Sequence, residues 1–255
     1  MDQVQQLPEP GNQGAPGTAA PGPGRRRLAS AGRWTWEWIK SLVVAFALFL
    51  LIRTFAIEAF RIPTGSMEST LLVGDFLLVN KAVYGAQVPG TGMRLPAMGE
   101  PGRGDIVVFT PPHEPEKNYV KRLVGLPGDT LRMRDKVLFV NGDMVPEPYA
   151  QHMDPLDVHA PGMRWQSDYL PDPALRMSYR PTRDSWGPLV VPPGKYFVLG
   201  DNRDDSEDSR YWGFVEEAAI KGRPLLVYYS FNPRTLKAVP WLTDIRWDRI
   251  GGAIH

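Results

Sequence analysis

The chain has 255 residues, 43% hydrophobic and 22% charged, enough apolar mass for one large domain or two small ones and too much for a disordered protein. A net charge of +1 gives no whole-chain basis for nucleic-acid binding. The absence of cysteine excludes disulfides, thiolate nucleophiles and cysteine zinc sites, and suits an extracytoplasmic compartment.

The first 24 residues are rich in Pro, Gly, Gln and Ala and carry almost no large apolar side chains, so a flexible tail is expected. Arg25, Arg26, Arg27 and Arg33 follow, and then the run from Ser41 to Ile52, which is uncharged and almost wholly apolar. That run alone is shorter than the roughly 20 residues a helix needs to cross the hydrocarbon core. A span must therefore reach from about Trp36 to Ile57, with Lys40 and Arg53 snorkelling toward opposite headgroup layers and Trp34, Trp36 and Trp38 in the interfacial belt. The arginines ahead of it favour a cytoplasmic N-terminus. The expected division is a disordered cytoplasmic tail over 1–33, a transmembrane anchor over 34–59, and an extracytoplasmic region over 60–255. A cleavable secretory signal and a buried soluble helix are the alternatives. Against the signal, "RTFAIEAFRIP" offers no small-x-small pair where cleavage would fall.

From residue 61 the texture changes to short β-rich runs separated by Gly and Pro, among them "DFLLVNKAVYG", "GDIVVFTPP", "NYVKRLVGLPGD", "KVLFVNGDMV", "KYFVLGD" and "RPLLVYYSF". This predicts a mostly β, antiparallel domain. Asn141 and Gly142 mark a tight hairpin. Residues of about 140–190 read as an inserted, loop-rich smaller subdomain. Late in the chain, Trp241, Leu242 and Trp247 could dip into a leaflet or fill a core.

The four histidines, His113, His152, His159 and His255, lie in polar loop sequence or at the last position, and no G-x-S-x-G elbow or H-E-x-x-H pair is present. Lysine is the base that burial can create, because apolar surroundings strip its charge. In "NYVKRLVGLPGD" strand alternation puts Tyr119, Lys121 and Leu123 on one face, with Val120 and Arg122 on the other. Periodicity alone favours the plainer reading, a lysine guarding an exposed sheet edge. The stretch "VLGDNRDDSEDSRYWGF" lacks the glycine and flanking helices of a calcium loop. It is either a solvated acidic turn or a network in which Asp208 pairs with Arg203 or Arg210 and holds the Ser206 hydroxyl near a base.

Four stretches, "RIPTGSMESTLLVGDFLLVNK", "RGDIVVF", "NYVKRLVGLPGD" and "GDNRDDSEDSRYWGFV", resemble the successive boxes of type I signal peptidase, the bacterial leader peptidase family, in order and after a membrane anchor. The resemblance implies a serine endopeptidase that acts without metal or cofactor, with Ser66 as nucleophile and Lys121 as general base. It implies that Ser206 hydrogen-bonds the lysine while Asp208 and Arg210 brace the loop. The Ser66 N–H and the Thr64 hydroxyl would form the oxyanion hole, Thr64 standing where other members have serine. Ile62, Pro63, Met67, Leu71 and Val120 fall where the family builds shallow apolar pockets. The implied partners are signal-peptide-bearing precursors, cut after small-x-small sites such as Ala-x-Ala, and membrane lipids, with no nucleic acid. Two rival readings are a self-cleaving repressor of similar fold and a catalytically silent, anchored β domain that binds exported chains.

Overall fold

The computed structural model describes residues 23–88 and 90–254, with side chains from residue 34 onward. Helix α1 runs Pro23–Phe55, and its segment Trp34–Phe55 is long and apolar enough to cross a membrane. The most apolar 18-residue window of that segment has no buried residue, unlike the core helix of a soluble protein. Residues 23–33, expected in the tail, are helical, while the rest of the expected tail and His255 lie outside the described residues. The chain divides into two compact units, a helical one ending at Phe49 and a second one from Leu50 onward.

The second unit contains two antiparallel sheets. The larger takes in β1 (Ile57–Arg61), β2 (Asp75–Asn80), β3 (Ile106–Phe109), β4 (Tyr119–Gly125), β9 (Lys195–Leu199), β10 (Val215–Glu216) and β11 (Ile220–Ser230), in the order β1-β2-β11-β3-β4-β9-β10. The smaller takes in β5 (Thr130–Arg134), β6 (Val137–Val140), β7 (Asp143–Met144) and β8 (Trp186–Val190), in the order β7-β6-β5-β8.

The uninterrupted apolar run Ile106–Phe109, buried at every position, matches a sheet covered on both faces. Ile106 and Val108 pack with Ile62, Met67, Leu71, Leu77, Val79 and Val227 on one side. Val107 and Phe109 pack with Tyr84, Leu123, Val198, Val215 and Ile220 on the other. Each such fully buried side chain contributes about 1.5–3 kcal/mol relative to exposure. Strand β4 sits between β3 and β9, with Val107 opposite Lys121 and Leu199 opposite Arg122. The lysine is thus in a central strand, not on a sheet edge.

The smaller sheet starts at Thr130, ahead of the expected insertion boundary near 140, because β5 pairs with β8 through Leu131 and Leu189. Asn141 and Gly142 close its β6–β7 hairpin, both with positive φ (55° and 95°), as a two-residue turn of matching twist requires. A 3-10 segment, Pro161–Tyr169, buries Met163 in the core shared with this sheet, and Gln166 is buried beside it. Trp241, Leu242 and Trp247 are all exposed, so none of them is core.

Candidate active site

Ser66 lies in the loop that connects β1 to β2. The ends of that loop are clasped by Ile62 N–H donating to the Asp75 carbonyl (2.8 Å) and Gly74 N–H donating to the Ile62 carbonyl (3.0 Å). Met67 and Leu71 anchor it by inserting into the core below. Asn202 fixes the turn itself, its N–H donating to the Ser66 carbonyl (3.1 Å) and its side-chain Nδ2 to the Gly65 carbonyl (3.2 Å). The Ser66 N–H has no acceptor among the described residues, and the Thr64 hydroxyl beside it is exposed and unbonded. Both residues line the cleft that opens over the serine.

Lys121 projects from β4 with 3% of its surface exposed, and its Nζ lies 2.5 Å from Ser66 Oγ. Its ammonium stands 5.9 Å from the centre of the Tyr119 ring, as alternation along the strand places it. Burial pulls its pKa down from 10.5 to about 8; Asp208 opposes that shift and Arg210 adds to it. At that value a sizeable fraction of the amine is neutral in mildly alkaline water, so it can accept a proton from the serine.

The acidic stretch that follows β9 is a buried network, not a solvated turn. Asp208 caps the short helix α2 (Ser209–Trp212) and pairs with Arg210 through Nε to Oδ1 and Nη2 to Oδ2, each 2.8 Å. Burial raises the Asp208 carboxyl, but the Arg210 charge and hydrogen bonds outweigh it and hold the group below its usual value. Arg203 is not the partner of Asp208; it forks onto Glu147 at 2.7 and 2.6 Å. The Ser206 hydroxyl donates to Asp208 Oδ2 (2.7 Å), and no hydrogen bond joins it to Lys121. That expectation is corrected: Ser206 is tied to the carboxylate, which in turn acts on the amine through its charge.

A cleft of about 900 Å³ opens over the pair, lined by Ile62, Pro63, Thr64, Met67, Val120 and Ser206 among others. Leu71 does not line it; fully buried beneath the loop, it is a core residue. Among the described residues no cluster of three His, Asp or Glu side chains is arranged to hold a metal.

Several supporting residues escaped the sequence reading. Arg122, on the opposite face of β4 from Lys121, forks onto Asp201 at 2.9 and 2.8 Å, and Thr70 Oγ1 donates to the same carboxylate at 2.6 Å. Gly200 is a close-approach glycine: a Cβ there would stand 2.2 Å from Ser206 Oγ and 2.5 Å from the Ser66 carbonyl oxygen. The smaller sheet's flank also holds the loop, with Trp165 and Gln166 donating to the Arg210 carbonyl at 3.0 and 2.9 Å. The "GDN" triplet was the available signal, since small and amide residues at a strand end mark close backbone contact.

Residues 35–229 match the family model described as signal peptidase, peptidase S26. The chain is 37% identical over 234 residues to signal peptidase I of Pseudomonas aeruginosa, covering 86% of this chain and 79% of that one. It is also 37% identical over 198 residues to signal peptidase I of Bacillus licheniformis, covering 77% and 90% respectively. A solved signal peptidase I from Enterococcus faecalis is 34% identical and covers 49% of this chain and 96% of its own, at a TM-score of 0.35. The family assignment rests on the sequence matches. By these, with a buried amine against a serine and one helix fit to anchor it, the chain belongs to the signal peptidase family, peptidase S26, a family of serine endopeptidases.

Proposed function

We propose that this protein removes N-terminal signal peptides from exported precursors, cutting after small-x-small sites with Ser66 as nucleophile and Lys121 as general base. The carrying observation is the 2.5 Å separation of Ser66 Oγ and a nearly fully buried Lys121 Nζ. Neutral Lys121 takes the hydroxyl proton as Ser66 Oγ bonds to the scissile carbonyl carbon, and the resulting oxyanion is met by the Ser66 N–H and the Thr64 hydroxyl. The lysine ammonium then protonates the departing amine as the C–N bond breaks. Water attacks the acyl-serine ester, Lys121 again accepting the proton, and the serine is restored.

The apolar lining from Ile62, Pro63, Met67 and Val120 favours small side chains at the subsites, since a larger one must displace packed groups. In this reading α1 spans the bilayer with the N-terminus cytoplasmic, and Trp241, Leu242 and Trp247 lie against the outer leaflet. Confining enzyme and membrane-inserted precursor to one surface raises their effective concentration.

The test is purified full-length protein on a precursor carrying an Ala-x-Ala site, with the product ends identified by mass spectrometry. Cleavage after the second alanine, lost in Ser66→Ala and in Lys121→Ala while both variants keep their β circular dichroism, is expected. General-base removal alone should cost about 10²–10⁴-fold. A fully active Lys121→Ala enzyme would rule the mechanism out.

A further inference from the structure

A second cavity of about 520 Å³ lies away from the serine cleft, within the unit that begins at Leu50. Leu50, Arg53 and Thr54, from the final turns of α1, form one wall; Glu58, Lys81, Arg94 and Lys221 are among the residues that complete it. Four cations thus face one carboxylate.

The pairing of these charges is uneven. Lys81 Nζ stands 3.3 Å from Glu58 Oε2 and donates to the Arg53 carbonyl at 3.0 Å, so it offsets both the carboxylate and the negative end of the helix. Arg94 donates to the carbonyls of Tyr84, Ala218 and Ile220, which satisfy hydrogen bonds without cancelling its charge. Its buried Nε has no acceptor. Lys221 donates to the neutral Asn118 amide, at 2.5 Å. Among the described residues, Arg53, Arg94 and Lys221 have no carboxylate in ion-pair contact. Glu217 acts on Arg94 by its charge without an ion-pair contact, so three cations that lack a direct carboxylate partner surround one concavity and repel each other unless an anion enters.

We propose that this cavity binds a phosphate group, and that its source is the headgroup of an anionic phospholipid. The wall residues Leu50, Arg53 and Thr54 belong to the segment Trp34–Phe55 that can cross the membrane, so the cavity opens where such a segment leaves the hydrocarbon and headgroup phosphates are concentrated. A guanidinium and an ammonium from different chain segments give a phosphate diester both forked and point-charge contacts. This inference rests on α1 being the membrane anchor and is independent of the roles of Ser66 and Lys121.

The experiment uses the full-length protein in neutral detergent, titrated separately with short-chain phosphatidylglycerol, phosphatidylcholine and inorganic phosphate. Native mass spectrometry counts bound molecules. One phosphatidylglycerol per chain, retained well above phosphatidylcholine, is expected. The double variant Arg53→Gln, Lys221→Gln should bind it about thirtyfold more weakly, at about 1 kcal/mol for each charge removed. The charge-preserving double variant Arg53→Lys, Lys221→Arg should recover most of the loss. Flotation of both variants with phosphatidylcholine vesicles tests the anchor by itself. A variant that no longer floats would locate the failure in the membrane reading, and one that floats while binding phosphatidylglycerol like the parent would overturn the site. Binding of inorganic phosphate at the same concentrations as the lipid would overturn the lipid source.

Discussion

Asp208 and Arg210 meet through two hydrogen bonds of 2.8 Å, and neither side chain reaches solvent. Deleting one charge from such a pair strands the other and costs about 3–5 kcal/mol. Asp208→Asn should therefore lower the urea midpoint at neutral pH by a free energy of that size, with an unchanged slope. A loss below about 1 kcal/mol would show that the pair braces nothing. The carboxylate also raises the Lys121 pKa, so whatever folded enzyme remains should reach half-maximal activity at lower pH than the parent.

The pH dependence of kcat/KM follows from the proposed role of Lys121 as a neutral base with pKa of about 8. Activity should climb about tenfold per pH unit on the acid side and level off above about 8. Glu207 raises the same pKa, so Glu207→Gln should move the curve to lower pH, in the same direction as Asp208→Asn but without the loss of stability. Initial rates on a short peptide, at constant ionic strength, check both. A profile that stays flat into acid while the protein remains folded would remove Lys121 from the chemistry.

Stability should also rise with pH, in a higher window, as a consequence of the same burial. The Lys121 pKa falls from 10.5 in the unfolded chain to about 8 in the fold, so between those values the unfolded state holds more protons and stability rises with pH. Below about 8 both states are protonated and the full penalty, about 3 kcal/mol, is present. Lys121→Met is expected to be inactive yet more stable than the parent at neutral pH, with the difference shrinking as pH rises toward 10.5. Denaturant midpoints of both proteins across that window measure it. A variant less stable than the parent at pH 7 would mean that the amine's contacts outweigh its desolvation.

Alternation from Tyr119 to Leu123 put Lys121 on the right face, because that period is local. Whether the strand was central depended on β3 and β9, and β9 lies about 75 residues away, beyond any local pattern. The same alternation puts Arg122 on the face opposite Lys121; its partner Asp201 is 79 positions on, and complementary charges at that separation leave no periodic trace. The resemblance places Leu71 among the pocket residues. The irregular turn between Gly65 and Leu71 has no fixed period, and Leu71 points into the core. Asp208 was expected against either arginine, and only packing, with Arg203 drawn to Glu147, decides between them.

Gly200 supplies the most local test of how the serine is placed. A methyl group there would lie 2.5 Å from the Ser66 carbonyl oxygen and 2.2 Å from Ser206 Oγ, closer than van der Waals contact permits, so one of them must move. Ser206 is held by Asp208, and the Ser66 carbonyl accepts the Asn202 N–H. The strain therefore passes into the Ser66 loop and changes the Oγ to Nζ geometry. Since a displacement of about 1 Å can cost about 10²-fold, Gly200→Ala should lower kcat by that order with KM changed little. Its circular dichroism and pH midpoint should stay close to those of the parent, because Lys121 remains buried in β4. An alanine variant with parental kcat would mean that Ser66 tolerates displacement of its backbone, and the tight packing around Gly200 would then serve folding alone.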